Sequence, residues 1–353
     1  MSSRPTDPQL AISKGSLVLV TGANGFIASH VVKQLLEHGY KARGTVRSIE
    51  RASWLPDFFN SRYGENSLEL VEVKDMAADG AFDVAVQGTA GIIHTATPVM
   101  AIQDPNVAIP MVIAGTTNAL KAAAKAGVKR FVLTSSSTAA ASPQPNKVFP
   151  INPSVWNEDA VKAAWAPPPY EGVQRKLDVY SASKTQGEQA AWEYIKTENP
   201  DIVLNCILPN MNIGEILSIE HQGYPSTMSW IKALWGGFSA EGEADLKNNP
   251  SQYYINVDDN ALVHVAALIF SDVVHERLFT FAYPYSWNTL LGIFRKLYPR
   301  RKFIDDIPNI GEDNSIVANE RAEGLLKRLK GGKGWESLED SVRFLTDKLA
   351  AES

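Results

Sequence analysis

Four consecutive apolar residues, Leu17-Val18-Leu19-Val20, carry the signature of a strand buried on both faces. Thr21-Gly22-Ala23-Asn24-Gly25 follows as a glycine turn. A helical period comes next, with Ile27, Val31, Val32, Leu35 and Leu36 on one face and Lys33, Gln34, Glu37 and His38 off it. Gly39 stands where a helix C-cap glycine belongs. The alternation continues to about residue 208. It predicts strands at 16–20, 42–46, 68–73, 91–94, 130–134 and 202–208, with helices at 28–38, 49–62, 81–87, 112–126 and 179–196. Strand connections of that length are right-handed helical crossovers, so the pattern predicts an α/β fold, a Rossmann-type doubly wound parallel sheet.

Beyond residue 208 the texture changes. Residues 209–250 are rich in Gly, Ser, Pro and Asn around an aromatic, helix-like segment at 228–235. A strand at 253–256 and a helix at 258–270 return to the sheet domain, and short helices are expected at 289–296, 316–327 and 338–349. The organisation expected for 353 residues is a loose tail over 1–15, a nucleotide-binding Rossmann domain over 16–208 rejoined by about 253–281, and a smaller C-terminal substrate-binding lobe from 209–252 and 282–353.

Composition narrows the partners. The 34 basic and 39 acidic residues leave a net charge of −5, which does not select nucleic acid, and the basic clusters Pro299-Arg300-Arg301-Lys302 and Lys327-Arg328-Leu329-Lys330 read as solvated faces. Cys206 is the only cysteine; it excludes an intramolecular disulfide and, inside the apolar run 202–208, reads as a buried inert thiol. The first residues lack the apolar core of a signal peptide, and no apolar run approaches the roughly 18 residues a membrane helix needs. The expectation is a cytoplasmic protein, monomer or homodimer, with no nucleic acid and no membrane as partner.

Candidate chemistry falls at the carboxyl ends of the expected strands, where ligands of such sheets bind. The first turn reads G-x-x-G-x-x-A: Gly22 makes the turn, Gly25 lets backbone approach a diphosphate, and Ala28 is small enough for the helix to lie on the strand. The second strand ends in Arg47, with Arg51 close behind, where an NAD enzyme places a carboxylate; guanidinium suits a 2′-phosphate, hence NADPH/NADP+. Asp75 and Met76 end the third strand, where an adenine edge is read, and His94-Thr95-Ala96-Thr97-Pro98 ends the fourth, under the diphosphate. His94 reads equally well as a structural polar group. The fifth ends in Thr134-Ser135-Ser136-Ser137. Tyr180 and Lys184 are i, i+4 on one helical face, so an ammonium near the phenol should lower its pKa and suit it to proton transfer, with a serine hydroxyl holding the substrate oxygen. Tyr298-Pro299-Arg300-Arg301-Lys302 matches the same spacing, but Pro299 disrupts a helical register there, so it reads as structural. The histidines lack metal-ligand spacing, and no G-x-S-x-G elbow occurs.

Together T-G-x-x-G-x-x-A, T-S-S and Y-x-x-x-K resemble the extended branch of the short-chain dehydrogenase/reductase superfamily. The likeness is to its dihydroflavonol and cinnamoyl-CoA reductase-like group, and within that to the fungal NADPH-dependent aldehyde/carbonyl reductases. The segments 15–26, 39–47, 129–136, 182–185, 208–210 and 294–299 carry it. The resemblance implies a small-molecule carbonyl substrate, Ser136 orienting the carbonyl, Tyr180 as general acid, and Lys184 bonding the nicotinamide ribose. It implies cofactor contacts from Gly22, Asn24, Gly25, Phe26, Ile27, Arg47, Arg51, Asp75, Met76, Thr95, Ala96, Thr97, Thr134, Tyr180, Lys184, Pro209 and Asn210. Many relatives place a relay asparagine in the pattern N-V-x-G-T, where this chain has Val112 ahead of Gly115-Thr116. Pro98, Trp165, Met211, Trp230 and Trp235 are the expected substrate pocket, although aromatics at helical spacing are also ordinary core. Two alternatives stay open: a nucleotide-sugar epimerase or dehydratase, disfavoured by Arg47, and a non-catalytic NADP sensor, disfavoured by an intact Ser136, Tyr180 and Lys184.

Overall fold

Leu17 begins the strand at the heart of a seven-stranded sheet in a computed structural model that describes residues 9–97, 102–237 and 249–352. In chain order come β1 (Leu17–Thr21), α1 (Phe26–Glu37), β2 (Lys41–Val46), α2 (Trp54–Tyr63), β3 (Leu68–Glu72), β4 (Gly91–His94), α3 (Pro105–Lys125) and β5 (Arg130–Thr134). Next are β6 (Pro150–Ile151), α4 (Glu158–Ala164), α5 (Val173–Glu198), β7 (Val203–Pro209), β8 (Met211–Ile213), α6 (Ile219–Gln222) and α7 (Ser226–Gly236). The remainder forms β9 (Gln252–Asn256), α8 (Val257–Ile269), β10 (Arg277–Thr280), β11 (Tyr283–Tyr285), α9 (Trp287–Leu297), β12 (Ile316–Val317), α10 (Glu320–Leu329) and α11 (Leu338–Ala351).

The main sheet runs β10-β7-β5-β4-β1-β2-β3, and every pairing in it is parallel. The chain winds outward from β1 to β3, then crosses to β4 and winds the other way. Its direction therefore reverses between β1 and β4, where a crevice opens at the carboxyl ends. Period-2 geometry divides β1: Val18 and Val20 pack with Val31, Leu35 and Ala266 on one side, and Leu19 with Ala119, Leu120 and Ala191 on the other. The first of these clusters continues into Met211, Tyr254, Trp287 and Leu345, so the C-terminal elements share a core with the sheet. Those elements add a three-stranded sheet β11-β9-β8 and the pair β12-β6.

The expected strands are present, and the departures have local causes. Residues 81–87 form successive turns, because Gly80 and Gly88 on either side adopt φ of +70° and +73° and leave too few residues to nucleate a helix. Helix α3 begins well before residue 112: Pro105 sits in its first turn and Asp104 accepts the Asn106 N–H at 2.9 Å. It is the one helix among the described residues long and apolar enough to cross a membrane, and α5 packs along it. The helix expected from 316 begins at Glu320, since Ile316 and Val317 pair with Pro150 and Ile151. β10, an unexpected strand, closes one edge of the main sheet. The tail reading also fails from Gln9 onward: Leu10 bridges Phe270, Ala11 donates to the Ile269 carbonyl at 2.7 Å, and Ile12 is buried.

One glycine on β2 ties the sheet to the phosphate turn. A Cβ at Gly44 would stand 2.5 Å from the Ala23 Cβ and 3.0 Å from Leu70 Cδ2. Gly44→Ala is expected to cost about 1–3 kcal/mol through overpacking, read as a lower urea midpoint. An unchanged midpoint would show that the turn yields freely.

Candidate active site

The crevice is framed by the ends of β1 and β4. Gly22 has φ +67°, and a Cβ there would lie 3.3 Å from the Ala96 Cα, so the end of β4 leaves no room for a side chain at this turn. The Thr21 hydroxyl accepts the N–H groups of Thr95 and Ala96, each at 3.0 Å. With two donors already accepted, its own proton goes to His94 Nδ1 at 3.0 Å. His94 is therefore neutral with its proton on Nε2, and burial, aided by the Lys184 charge, brings its pKa down to about 3. It is a structural group. The Thr95 hydroxyl is likewise turned inward, donating to the Thr21 carbonyl. Opposite this frame, Gly25 caps α1 without any side-chain bond, so the first-turn N–H groups of Phe26 and Ile27 meet no cap. Gln222 holds the turn from outside, donating to the Asn24 carbonyl at 3.2 Å.

Arg47 and Arg51 are exposed beyond the end of β2, with no side-chain hydrogen bond or ion pair among the described residues. Asp75 is exposed and accepts the Ala77 N–H at 2.9 Å, whereas Met76 packs inward, its Cε filling the place that a Cβ on Gly115 would take. Pro209 and Asn210 are buried at the end of β7, with the Asn210 N–H directed at the Thr280 carbonyl.

Small residues bring α5 close to its neighbours. A Cβ at Gly187 would stand 2.8 Å from Val112 Cγ1, so the position expected for a relay asparagine is filled by apolar packing. Tyr180 and Lys184 share one face of α5, and Ser136 follows two residues after the end of β5. The Lys184 ammonium is buried and donates to Thr97 Oγ1 at 2.7 Å and to the Thr134 carbonyl at 3.1 Å. Burial lowers its pKa to about 8, with Glu188 opposing. Thr134 contributes through its carbonyl alone, because its hydroxyl is 2.9 Å from His264 Nε2 in the core. His264 donates from Nδ1 to the Asn260 carbonyl at 2.8 Å, so Thr134 is the donor to Nε2.

The phenol departs from expectation. Burial pushes the Tyr180 pKa above its ordinary value, and the opposing influence is the Ser136 hydroxyl, not Lys184. Lys184 instead directs its hydrogen bonds at Thr97 and the Thr134 carbonyl. Tyr180 thus holds its proton at neutral pH. Ser136 is preset by its neighbour: its Oγ accepts the Thr138 N–H at 3.3 Å and lies 3.1 Å from the Thr138 hydroxyl.

The expected aromatic pocket does not assemble. Trp235 is enclosed, edge-on to Phe294, Tyr298 and Phe303. Trp165 is exposed and donates to Gln186 at 2.8 Å, two residues past Lys184 and hence on another side of α5. Met211 is buried against the Tyr285 hydroxyl, Trp230 packs on the same core as Trp235, and Pro98 lies outside the described residues. The second Y-x-x-x-K is not helical: α9 ends at Leu297, and Tyr298 donates to Thr346 at 3.0 Å. Sequence reasoning missed Glu188, although it lies one further turn along the Tyr180–Lys184 face. Cys206 is buried, and its thiol pKa is raised by that burial.

The chain is similar to known proteins over almost its whole length. Aldehyde reductase 2 of Sporidiobolus salmonicolor is 41% identical over 336 residues, covering 95% of this chain and 96% of its own. Ketoreductase adrE of Penicillium rubens is 36% identical over 340 residues, covering 94% and 96%. Among solved structures, Gre2 of Candida albicans in complex with NADPH superposes with a TM-score of 0.79 at 25% identity, covering 95% of this chain and 99% of its own. Matching that family's pattern over residues 18–215, with the glycine turn, serine strand end and tyrosine–lysine helix all inside the match, the chain belongs to the NAD dependent epimerase/dehydratase family.

Proposed function

We propose that this chain is an NADPH-dependent oxidoreductase that reduces aldehydes and ketones to alcohols. The observation that carries the reading is the convergence of Ser136, Tyr180 and Lys184 beside the crevice between β1 and β4. The crevice suits a dinucleotide, because the uncapped N–H groups of Phe26 and Ile27 suit a diphosphate. Arg47 and Arg51, exposed and unpaired among the described residues, suit the 2′-phosphate. Aldehyde reductase 2 and ketoreductase adrE support carbonyl reduction, and the NADPH complex of Gre2 supports the cofactor.

When bound, the dinucleotide supplies the hydride that reaches the carbonyl carbon. Ser136 donates a hydrogen bond to the carbonyl oxygen as charge develops on it. Tyr180 delivers its proton to that oxygen and becomes phenolate. The Lys184 ammonium, held by Thr97 and the Thr134 carbonyl, is placed to bond the nicotinamide ribose, and Thr97 gives it a hydroxyl partner in place of the relay asparagine, a position held in this chain by Val112. The reading includes a cytoplasmic location and action as monomer or homodimer.

The test is oxidation of NADPH and NADH across aldehydes, aryl ketones and keto esters. One NADPH consumed per alcohol formed is expected. Redox-neutral conversion of a nucleotide sugar would overturn the reading in favour of an epimerase. The lysine adds a pH signature, since it is charged below its pKa of about 8 and neutral above it. The kcat/KM for NADPH, which reports the free enzyme, should fall as pH rises through that value; a profile flat across it would mean that the Lys184 charge plays no part in capturing the cofactor.

A further inference from the structure

Behind the serine strand end lies an ion pair that the chemistry above does not use. Glu188 and Arg277 are both buried, at 1% and 8% exposure. Arg277 Nε donates to Glu188 Oε1 at 2.7 Å, and Trp192 Nε1 donates to the same oxygen at 3.2 Å. The other carboxylate oxygen accepts the Ser135 hydroxyl at 2.6 Å. Ser135 continues the β5–β7 ladder by donating its N–H to the Ile207 carbonyl at 2.8 Å, and the next residue is Ser136. Glu188 lies one helical turn beyond Lys184 and two beyond Tyr180. On the far side, Arg277 Nη1 donates to the carbonyls of Pro153 and Val155 at 2.8 and 2.7 Å, with the guanidinium 3.8 Å above the Trp156 ring.

We propose that Glu188 and Arg277 are positioning residues, whose ion pair fixes the α5 face carrying Tyr180 and Lys184 in register with the strand end carrying Ser136. The proposal rests on the reductase reading. The carboxylate ties the catalytic helix to the residue beside the catalytic serine, one turn beyond the bond from Lys184 to the Thr134 carbonyl. Its second oxygen is held by Arg277 and Trp192, so it cannot turn away from Ser135 without leaving a buried guanidinium unpaired. A buried ion pair is by itself a poor source of stability, and apolar pairs of similar volume often replace one at little cost. What an apolar pair cannot supply is the directional bond to Ser135. Glu188 is also the negative charge that opposes the desolvation of Lys184.

The experiment compares Ser135→Ala and the double variant Glu188→Met/Arg277→Leu with the wild-type chain. It reads Tm, kcat for an aldehyde and the Kd of NADPH. Ser135→Ala removes the strand-end bond and keeps the ion pair; the double variant removes the pair without stranding a charge. Both are expected to fold, to bind NADPH with Kd within about twofold of wild type, and to lose about 10- to 10²-fold in kcat, the scale of a slightly misplaced catalytic group. A folded double variant and Ser135→Ala both turning over at the wild-type rate would overturn the proposal, as would losses confined to NADPH affinity. If the double variant fails to fold, Ser135→Ala decides alone. A wild-type chain without NADPH-dependent reduction would overturn the reductase reading and this proposal with it, whereas active wild type beside equally active variants would overturn this proposal only.

Discussion

Tyr180→Phe is expected to lower kcat by about 10²–10⁴-fold, the range that positioned acid–base groups contribute, with NADPH affinity nearly unchanged. The ring remains in its half-buried place on α5, so the substitution deletes one hydroxyl without opening a cavity. That hydroxyl holds its proton at neutral pH, because burial raises its pKa and Ser136 only partly opposes the rise. The expected defect is therefore in delivering a proton to the carbonyl oxygen. The diphosphate turn, Arg47 and Arg51 lie at other strand ends and keep their contacts. Single-turnover kinetics with saturating NADPH, beside a fluorescence titration of the cofactor, separates the two quantities. Activity close to wild type would assign the proton to another donor.

How much of this site could be read from the sequence depends on where each signal came from. Strands buried on both faces must be continuously apolar, so β1, β5 and β7 stood out as runs, and the residues that end them were placed with them. β10 did not stand out, since its four residues offer only Leu278 and Phe279 as an apolar run behind Arg277, whose charge is neutralised by a residue 89 positions away. The spacing of Tyr180 and Lys184 was legible because i, i+4 is set by the helix itself. Glu188 obeys the same spacing, yet a helix glutamate ordinarily faces water, and only the three-dimensional placement of Ser135 and Arg277 gives it another role. The aromatic pocket failed for a related reason: Trp235 and Trp165 both end short helical segments, and one is enclosed by Phe294, Tyr298 and Phe303 while the other faces out at the end of α4. The raised Tyr180 pKa was illegible too. Proximity in a helix says that an ammonium is near; it does not say that Thr97 and Thr134 take its hydrogen bonds.

Arg47→Asp is expected to exchange the cofactor preference. Arg47 leaves β2 with its guanidinium exposed and without a protein partner among the described residues, so nothing in the fold depends on its charge. A hydrogen bond to a charged group contributes about 1.5–3 kcal/mol, and its loss weakens NADPH by about 10- to 150-fold. The new carboxylate adds repulsion toward a 2′-phosphate and offers an acceptor to the ribose hydroxyls of NADH. The NADPH:NADH ratio of kcat/KM should therefore fall at least as far as the affinity does, with kcat on saturating cofactor little changed. Arg51 is a second cation at the same strand end, so Arg47→Asp/Arg51→Ala should move the ratio further than the single change. A ratio unchanged in the single variant would mean that Arg47 does not touch the phosphate, and a ratio that moves only in the double variant would transfer the role to Arg51. Either result leaves the glycine turn where it is, because the turn is held by its own hydrogen bonds, Gly22 N–H to the Thr45 hydroxyl and Gly25 N–H to the Gly22 carbonyl, and not by the nucleotide's phosphate.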